Sequence, residues 1–411
     1  MKILFIHSLY APHIIGGAEN SLRILVESMS HRGHDVVVLA TSDKKGLHEE
    51  TVNGITVYRA GIKNKYWIYG NHSRSKINKI IRHTRDLYNN GMQVYVTEVI
   101  RKERPDIVSC HNLPGWSIRV WDSIRKENIP IVQVLHDYYF LCVRSSLFKK
   151  GRPCRGRCLR CKIMRLLYRK KSQQVDAVVG ICSGVLNKVI TAGFFPNSLK
   201  VVVHNVRVIP DVENKKIKRD KITFGFIGAI SPHKGIQWLI EQFKKIESDH
   251  VLLRIAGKGS VSYENKMKTL ASDDIRITFL GFSKPKDFYA SIDVLIVPST
   301  WEEPLGMVAI EACAYHVPVI TSATGGLKEI IKDGINGLYC EVSDPDSLFF
   351  AMNKMINDRE LFNKLHLNAR ESVKSFLDID RLVSEYENVY RHILKCPSLR
   401  QNVSCEKILQ P

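Results

Sequence analysis

No stretch of this 411-residue chain holds the run of about 18 apolar residues that a membrane-spanning helix requires, so no such helix is expected. The first residues, Met1-Lys2-Ile3-Leu4-Phe5-Ile6-His7, form too short an apolar run for a signal peptide and read as a buried first strand. The expected location is therefore the cytoplasm. Short-period repeats and low-complexity segments are also missing, which excludes solenoids and arrays. Acid is missing locally. No Asp or Glu occurs between Asp137 and Asp176, whereas Arg144 to Lys171 holds twelve Lys and Arg. With a net charge of +20, this clustering points to an anionic partner. Nucleic acid has little else in its favour, because no RNP motif, C2H2 finger or recognition-helix signature is found.

What is present is a soluble globular composition, 44% hydrophobic and 25% charged, on a chain long enough for two domains. Short apolar runs alternate with amphipathic stretches, the pattern of βαβ units around parallel sheets. In the first half, strands are expected at Ile3–His7, Val36–Ala40, Ile55–Arg59, Ile107–Cys110, Ile131–Leu135, Ala177–Ile181 and Val201–His204. Helices are expected near 17–32, 75–103, 116–128 and 183–192. A charged segment, Asp211 to Asp220, reads as a linker, after which the pattern restarts with five more strands. The expected architecture is α/β, with two doubly wound Rossmann-like domains facing each other across a cleft. The first spans 1–208, with a basic Cys-containing insertion at about 142–172. The second spans 209–380. A final helix in 381–411 returns to the first domain and is followed by a tail.

The densest chemistry lies in Glu302-Glu303-Pro304-Leu305-Gly306-Met307-Val308-Ala309-Ile310-Glu311. Gly306 opens an otherwise apolar helix, whose first amides can bind an anion. Glu311 sits inside that helix and needs a partner to offset desolvation: a ribose, or a nearby Lys or Arg. Two other loops join a strand to a helix through glycine. Gly16-Gly17 lets the backbone approach an anion closely, or is a plain turn. Gly228-Ala229-Ile230-Ser231-Pro232-His233-Lys234-Gly235 carries a lysine that reaches a phosphate, or is solvated. It lacks the spacing of a P-loop.

Taken with His136-Asp137, Asn205 and Phe279-Leu280-Gly281, the spacing Glu303-x7-Glu311 resembles the motif set of the family 4 retaining glycosyltransferases, which have the GT-B fold. The resemblance covers most of the chain. It implies a UDP- or GDP-linked sugar donor held by the second domain, a glycan or lipid-linked acceptor held by the first, retention at the anomeric carbon, and no catalytic metal. It implies that Glu303 contacts the donor sugar and Glu311 the ribose. Lys234 and the amides of Gly306, Met307 and Val308 would hold the leaving diphosphate, with Gly16, Gly17, Gly228 and Gly235 lining the phosphates. Leu280 and Gly281 would lie by the base, and His136 beside the sugar. The family commonly has Arg after the strand glycine; here the residue is Ala229. Retaining hydrolases place two carboxylates about 5 Å apart, and no such pair is apparent; the resemblance implies reaction at the front face of the sugar, with His136 positioning rather than acting as base. A packed or capping histidine is the alternative.

Of the ten cysteines, Cys142, Cys154, Cys158 and Cys161 fall within twenty residues of a basic loop. A structural zinc held by four thiolates is expected, with free thiols, an iron–sulfur cluster or a disulfide as alternatives. Met164, Leu166, Leu167 and Tyr168, and Trp67 to Tyr69 ahead of Lys76, Lys79, Arg82 and Arg85, interleave apolar and basic residues. This fits docking to an anionic membrane surface on the cytoplasmic face, or a solvated charged face. The function expected is glycosyl transfer in cell-envelope polysaccharide, lipopolysaccharide or glycolipid synthesis. A non-catalytic partner of the same fold, a sugar-nucleotide epimerase and a nucleic-acid-binding protein are the alternatives.

Overall fold

The computed structural model describes residues 1–70, 75–149, 151–154, 156–212 and 221–395. Most of the expected linker (213–220), the tail with Cys396 and Cys405, and Lys150 and Arg155 of the basic segment lie outside the described residues. The chain divides into two compact units.

The first unit holds Met1–Ser145, Arg157–Asn205 and the final helix Ile379–Lys395. Its strands are β1 (Lys2–His7), β2 (Asp35–Ser42), β3 (Leu47–Val52), β4 (Ile55–Gly61), β5 (Ile107–Cys110), β6 (Ile131–Leu135), β9 (Ala177–Gly180) and β10 (Leu199–Val202). They form one sheet in the order β10-β9-β6-β5-β1-β2-β4-β3, parallel except for β3. Central strands are covered on both faces and so are continuously apolar: Ile3, Leu4, Phe5 and Ile6 are fully buried. β3, Leu-His-Glu-Glu-Thr-Val, is the polar antiparallel edge. It lacks the apolar run that marks its neighbours, which is why the sequence pattern misses it.

The helix expected over 75–103 is two helices, Lys76–Arg85 and Gln93–Glu103. The break contains Asn89-Asn90-Gly91. The Asn89 amide donates to Ser117 Oγ (2.8 Å) and the Asn89 side chain accepts from the Gly91 amide (3.1 Å), which replaces helical bonding. The final helix is tied to the first unit by Arg32–Asp380 (2.9 Å) and His34–Glu387 (2.8 Å), with Tyr386, Val389 and Tyr390 buried.

The second unit holds Ser146–Gly156 and Val206–Asp378. The excursion 146–156, with the short strands β7 (Phe148–Lys149) and β8 (Arg152–Pro153), thus leaves the insertion that the sequence assigned whole to the first domain. The Phe148 ring meets His233 edge-on at 5.8 Å. The main sheet comprises β11 (Ile222–Ile227), β12 (Val251–Ala256), β13 (Ile277–Gly281), β14 (Val294–Val297), β15 (Val319–Thr321) and β16 (Gly337–Tyr339), ordered β13-β12-β11-β14-β15-β16 and all parallel. Connections run outward in both directions from the β11–β14 pair. The loops leaving their carboxyl ends therefore diverge and open a crevice.

Candidate functional site

The loop after β11 and the loop after β14 meet backbone to backbone. Gly235 has φ +74°, and a Cβ there would lie 1.8 Å from the Pro298 carbonyl oxygen, so only glycine fits. The Thr300 amide donates to the His233 carbonyl at 3.0 Å. This contact delivers Lys234 to Glu303.

Glu303 is buried. Its Oε1 accepts from Lys234 Nζ (2.5 Å), Ser299 Oγ (2.7 Å) and Trp301 Nε1 (3.0 Å). Burial alone would raise its carboxyl. The Lys234 charge and the three hydrogen bonds outweigh that and hold it below its ordinary value. Oε2 has no hydrogen-bond partner among the described residues, which leaves it for a ligand hydroxyl.

Lys234 and Glu303, given separate roles by the sequence reading, are an ion pair here. Ser299 and Trp301 were missed, although they adjoin the motif. So was a third glycine loop, Thr324-Gly325-Gly326 after β15. The Gly326 amide donates to the Glu303 carbonyl (2.8 Å), and a Cβ on Gly325 would lie 2.2 Å from that same oxygen. A paired glycine after a strand was the available signal.

Gly306 has φ +89° and caps the helix Met307–Ala314 without any side-chain cap. The amides of Gly306, Met307 and Val308 find no acceptor among the described residues. Three such donors at the positive end of a helix dipole can cradle an anion. Glu311, further along, is bound by Arg207 Nε at 2.6 Å and by the Tyr289 hydroxyl at 3.2 Å. The cation partner left open by the sequence is present, and Arg207 was not foreseen because it lies 104 positions away.

At the ends of β11, β12 and β13 the backbones stack without side chains between them. The Gly228 amide donates to Ala256, a Cβ on Gly257 would lie 1.8 Å from the Gly228 oxygen, and the Gly257 amide donates to Gly281 at 2.6 Å. Beside Gly281, Leu280 and Phe282 are exposed apolar groups able to stack on a ring. Ala229 is exposed and supplies no charge.

In the first unit, Gly16 precedes the helix Gly17–His31, but its amide is already bound to Glu19 Oε2 at 2.8 Å. As built, that loop offers a carboxylate where the sequence suggested a bare anion site. His136, just past β6, joins a chain of polar contacts. The Tyr390 hydroxyl donates to Ser109 Oγ (3.2 Å), Ser109 Oγ contacts His111 Nε2 (3.2 Å), and His111 Nδ1 contacts His136 Nε2 (2.8 Å). With the Ser109 proton on His111 Nε2, neutral His111 would carry its own proton on Nδ1 and donate it to His136 Nε2, leaving the His136 proton on Nδ1, a buried atom without a partner among the described residues. Burial, with His7 adding, pushes His136 down to about 3, so it stays neutral. Selective ¹⁵N-histidine NMR should find His136 protonated at Nδ1, and Ser109→Ala should give a mixture of tautomers. A proton on Nε2 in the unmutated protein would contradict this order.

Among the described residues, no group of three or more His, Cys, Asp or Glu is arranged to hold a metal ion. Cys142, Cys154, Cys158 and Cys161 form no disulfide among the described residues. Cys161 contacts Cys158, and burial together with those thiols raises it to about 11, the reverse of a ready thiolate.

This geometry has close parallels. Residues 209–372 match the Glycosyl transferases group 1 family, and residues 16–205 match the Glycosyl transferase 4-like domain. An uncharacterized 42.6 kDa protein in the cps region of Klebsiella pneumoniae is 30% identical over 368 residues, covering 88% of this chain and 96% of that one. The chain belongs to the group 1 glycosyl transferases. The capsular polysaccharide biosynthesis glycosyltransferase CapM of Staphylococcus aureus is 30% identical over 185 residues, 44% of this chain and 48% of its own. The Anabaena protein HepE, solved with UDP and glucose, superposes with a TM-score of 0.71 at 18% identity, covering 95% of this chain and all of that one. This group 1 glycosyltransferase thus has the GT-B fold, with two Rossmann-like domains.

Proposed function

We propose that the protein is a retaining glycosyltransferase that moves a sugar from a UDP- or GDP-linked donor to a glycan or lipid-linked acceptor in envelope or capsule polysaccharide synthesis. The observation that carries this is the cradle of the second unit: three amides at Gly306–Val308 with no acceptor among the described residues, with Lys234 and Glu303 on the adjoining loops. The diphosphate gains charge as the glycosidic bond breaks, and preorganised donors stabilise that charge without a metal. Lys234 is held by Glu303 until the phosphates arrive and then shares its protons between them. Glu303 Oε2 accepts from a sugar hydroxyl, and Glu311 accepts from the ribose. His136 donates through Nδ1 to an oxygen of the sugar and takes no proton.

A panel of sugar nucleotides should raise the melting temperature for one base and one sugar, and product NMR should show a retained anomer. No stabilisation by any sugar nucleotide would remove the reading.

The exposed Ile77, Ile80, Leu159, Ile163 and Leu166, set among Lys and Arg of the first unit, support peripheral binding to anionic membrane. No helix among the described residues is long and apolar enough to cross one. Flotation with anionic liposomes should exceed that with neutral ones, and equal recovery would count against it.

A further inference from the structure

The first unit contains a solvent-connected cavity of about 170 Å³. Its polar lining is unusual: Arg82, Arg144 and Arg165 face it with a single carboxylate, Asp86. That carboxylate is already engaged by Arg82 (2.7 Å) and by Asn64 (2.7 Å). Arg165 is buried, at 4% exposure, with its guanidinium 4.5 Å from the Tyr139 ring centre and 4.2 Å from that of Tyr168. Its Nη2 makes a long contact to the Cys142 carbonyl (3.4 Å), and its Nε is buried without a partner among the described residues. Arg144 is exposed at the rim and has no ion pair among the described residues.

A buried guanidinium with no carboxylate in ion-pair contact among the described residues is costly, and the sequence around it supplies no acid from residue 138 to 175. The aromatic rings hold its plane while leaving its N–H edge for a bidentate partner. His83, on the same wall, is pushed down to about 4, by burial first and then by Arg82, Arg160 and Arg165, so it adds no charge of its own. Ile68, Leu87 and Met164 provide apolar contact for a ring.

We propose that this cavity binds an oxyanion, the carboxylate or phosphate of an acidic sugar, with Arg165 as its inner and Arg144 as its outer ligand. On the glycosyltransferase reading, the acceptor is then an acidic saccharide. The word acceptor rests on that reading; the anion preference does not.

The test uses the full chain and ligand-observed NMR titration with four probes: methyl glucoside, methyl glucuronoside, glucose 6-phosphate and inorganic phosphate. One of the two acidic sugars should bind about 10-fold tighter or more than methyl glucoside, as expected for charge-assisted hydrogen bonds. Which of them does so tells carboxylate from phosphate. Arg165→Gln should bring that probe to the level of the glucoside. Because Arg165 is buried, the exposed Arg144→Gln is measured beside it and should weaken the acidic probe about threefold without affecting the glucoside. Equal binding of charged and uncharged sugars overturns the proposal. So does an acid preference unchanged in both variants, or inorganic phosphate binding as tightly as either acidic sugar. Titration of the same sample with sugar nucleotides separates the two claims. Donor binding without acid preference sinks the cavity alone, whereas acid preference without donor binding sinks the donor reading alone.

Discussion

Lys234→Ala should lower turnover by about 10²–10³-fold, the usual cost of losing one preorganised donor to a developing anion. It should also destabilise the second unit by about 3–5 kcal/mol at neutral pH, because Glu303 is left buried and unpaired. The pH dependence separates these effects. In the unmutated protein the Glu303 carboxyl is held below its ordinary 4.5, so the pair contributes fully above about 4.5 and its contribution is lost as pH falls through the lower folded value. Without Lys234, burial dominates and raises the folded value above the unfolded one. The variant should then gain stability relative to the parent as pH is lowered from 7 to 5. Urea melts at the two pH values measure this. The double variant Lys234→Met/Glu303→Gln should recover most of the stability and none of the turnover. A single Lys234→Ala protein with near-normal turnover would remove the leaving-group role.

Gly235→Ala should cost about 2–4 kcal/mol, combining a left-handed backbone with an overpacked contact. The added methyl would sit 1.8 Å from the Pro298 carbonyl oxygen, and backbone cannot swing aside as a side chain can. Relief requires the β11 and β14 loops to part, which draws Lys234 away from Glu303, so donor affinity should fall with stability. Gly334→Ala is the control. It has a similar φ of +71° but nothing within 4 Å of the new Cβ, and it should lose only the backbone component of about 1–2 kcal/mol. Similar losses for the two variants would mean that the loop contact is unimportant.

The alternation of buried runs such as Ile3–Ile6 with amphipathic helices was enough to find the parallel sheets, because a central parallel strand has no polar face to disguise it. Edge strands escape that rule. β3 is polar and β16 has three residues. The motif positions Lys234, Glu303, Gly306 and Glu311 were legible because a short spacing on one turn and helix constrains geometry. Their partners were not. Lys234 and Glu303 are 69 residues apart and meet only because β11 and β14 are neighbours. Arg207 reaches Glu311 from the far end of the second unit's sequence. The chain of contacts that reaches His136 ends at Tyr390, 281 positions from Ser109, and no local pattern encodes that.

The most direct test of the donor cradle is a crystal structure with the nucleoside diphosphate selected by the sugar-nucleotide panel. The account predicts β-phosphate oxygens within hydrogen-bond reach of the Met307 and Val308 amides and of Lys234 Nζ, with a ribose hydroxyl on Glu311. An ordered diphosphate that bypasses the start of the helix Met307–Ala314 would contradict it.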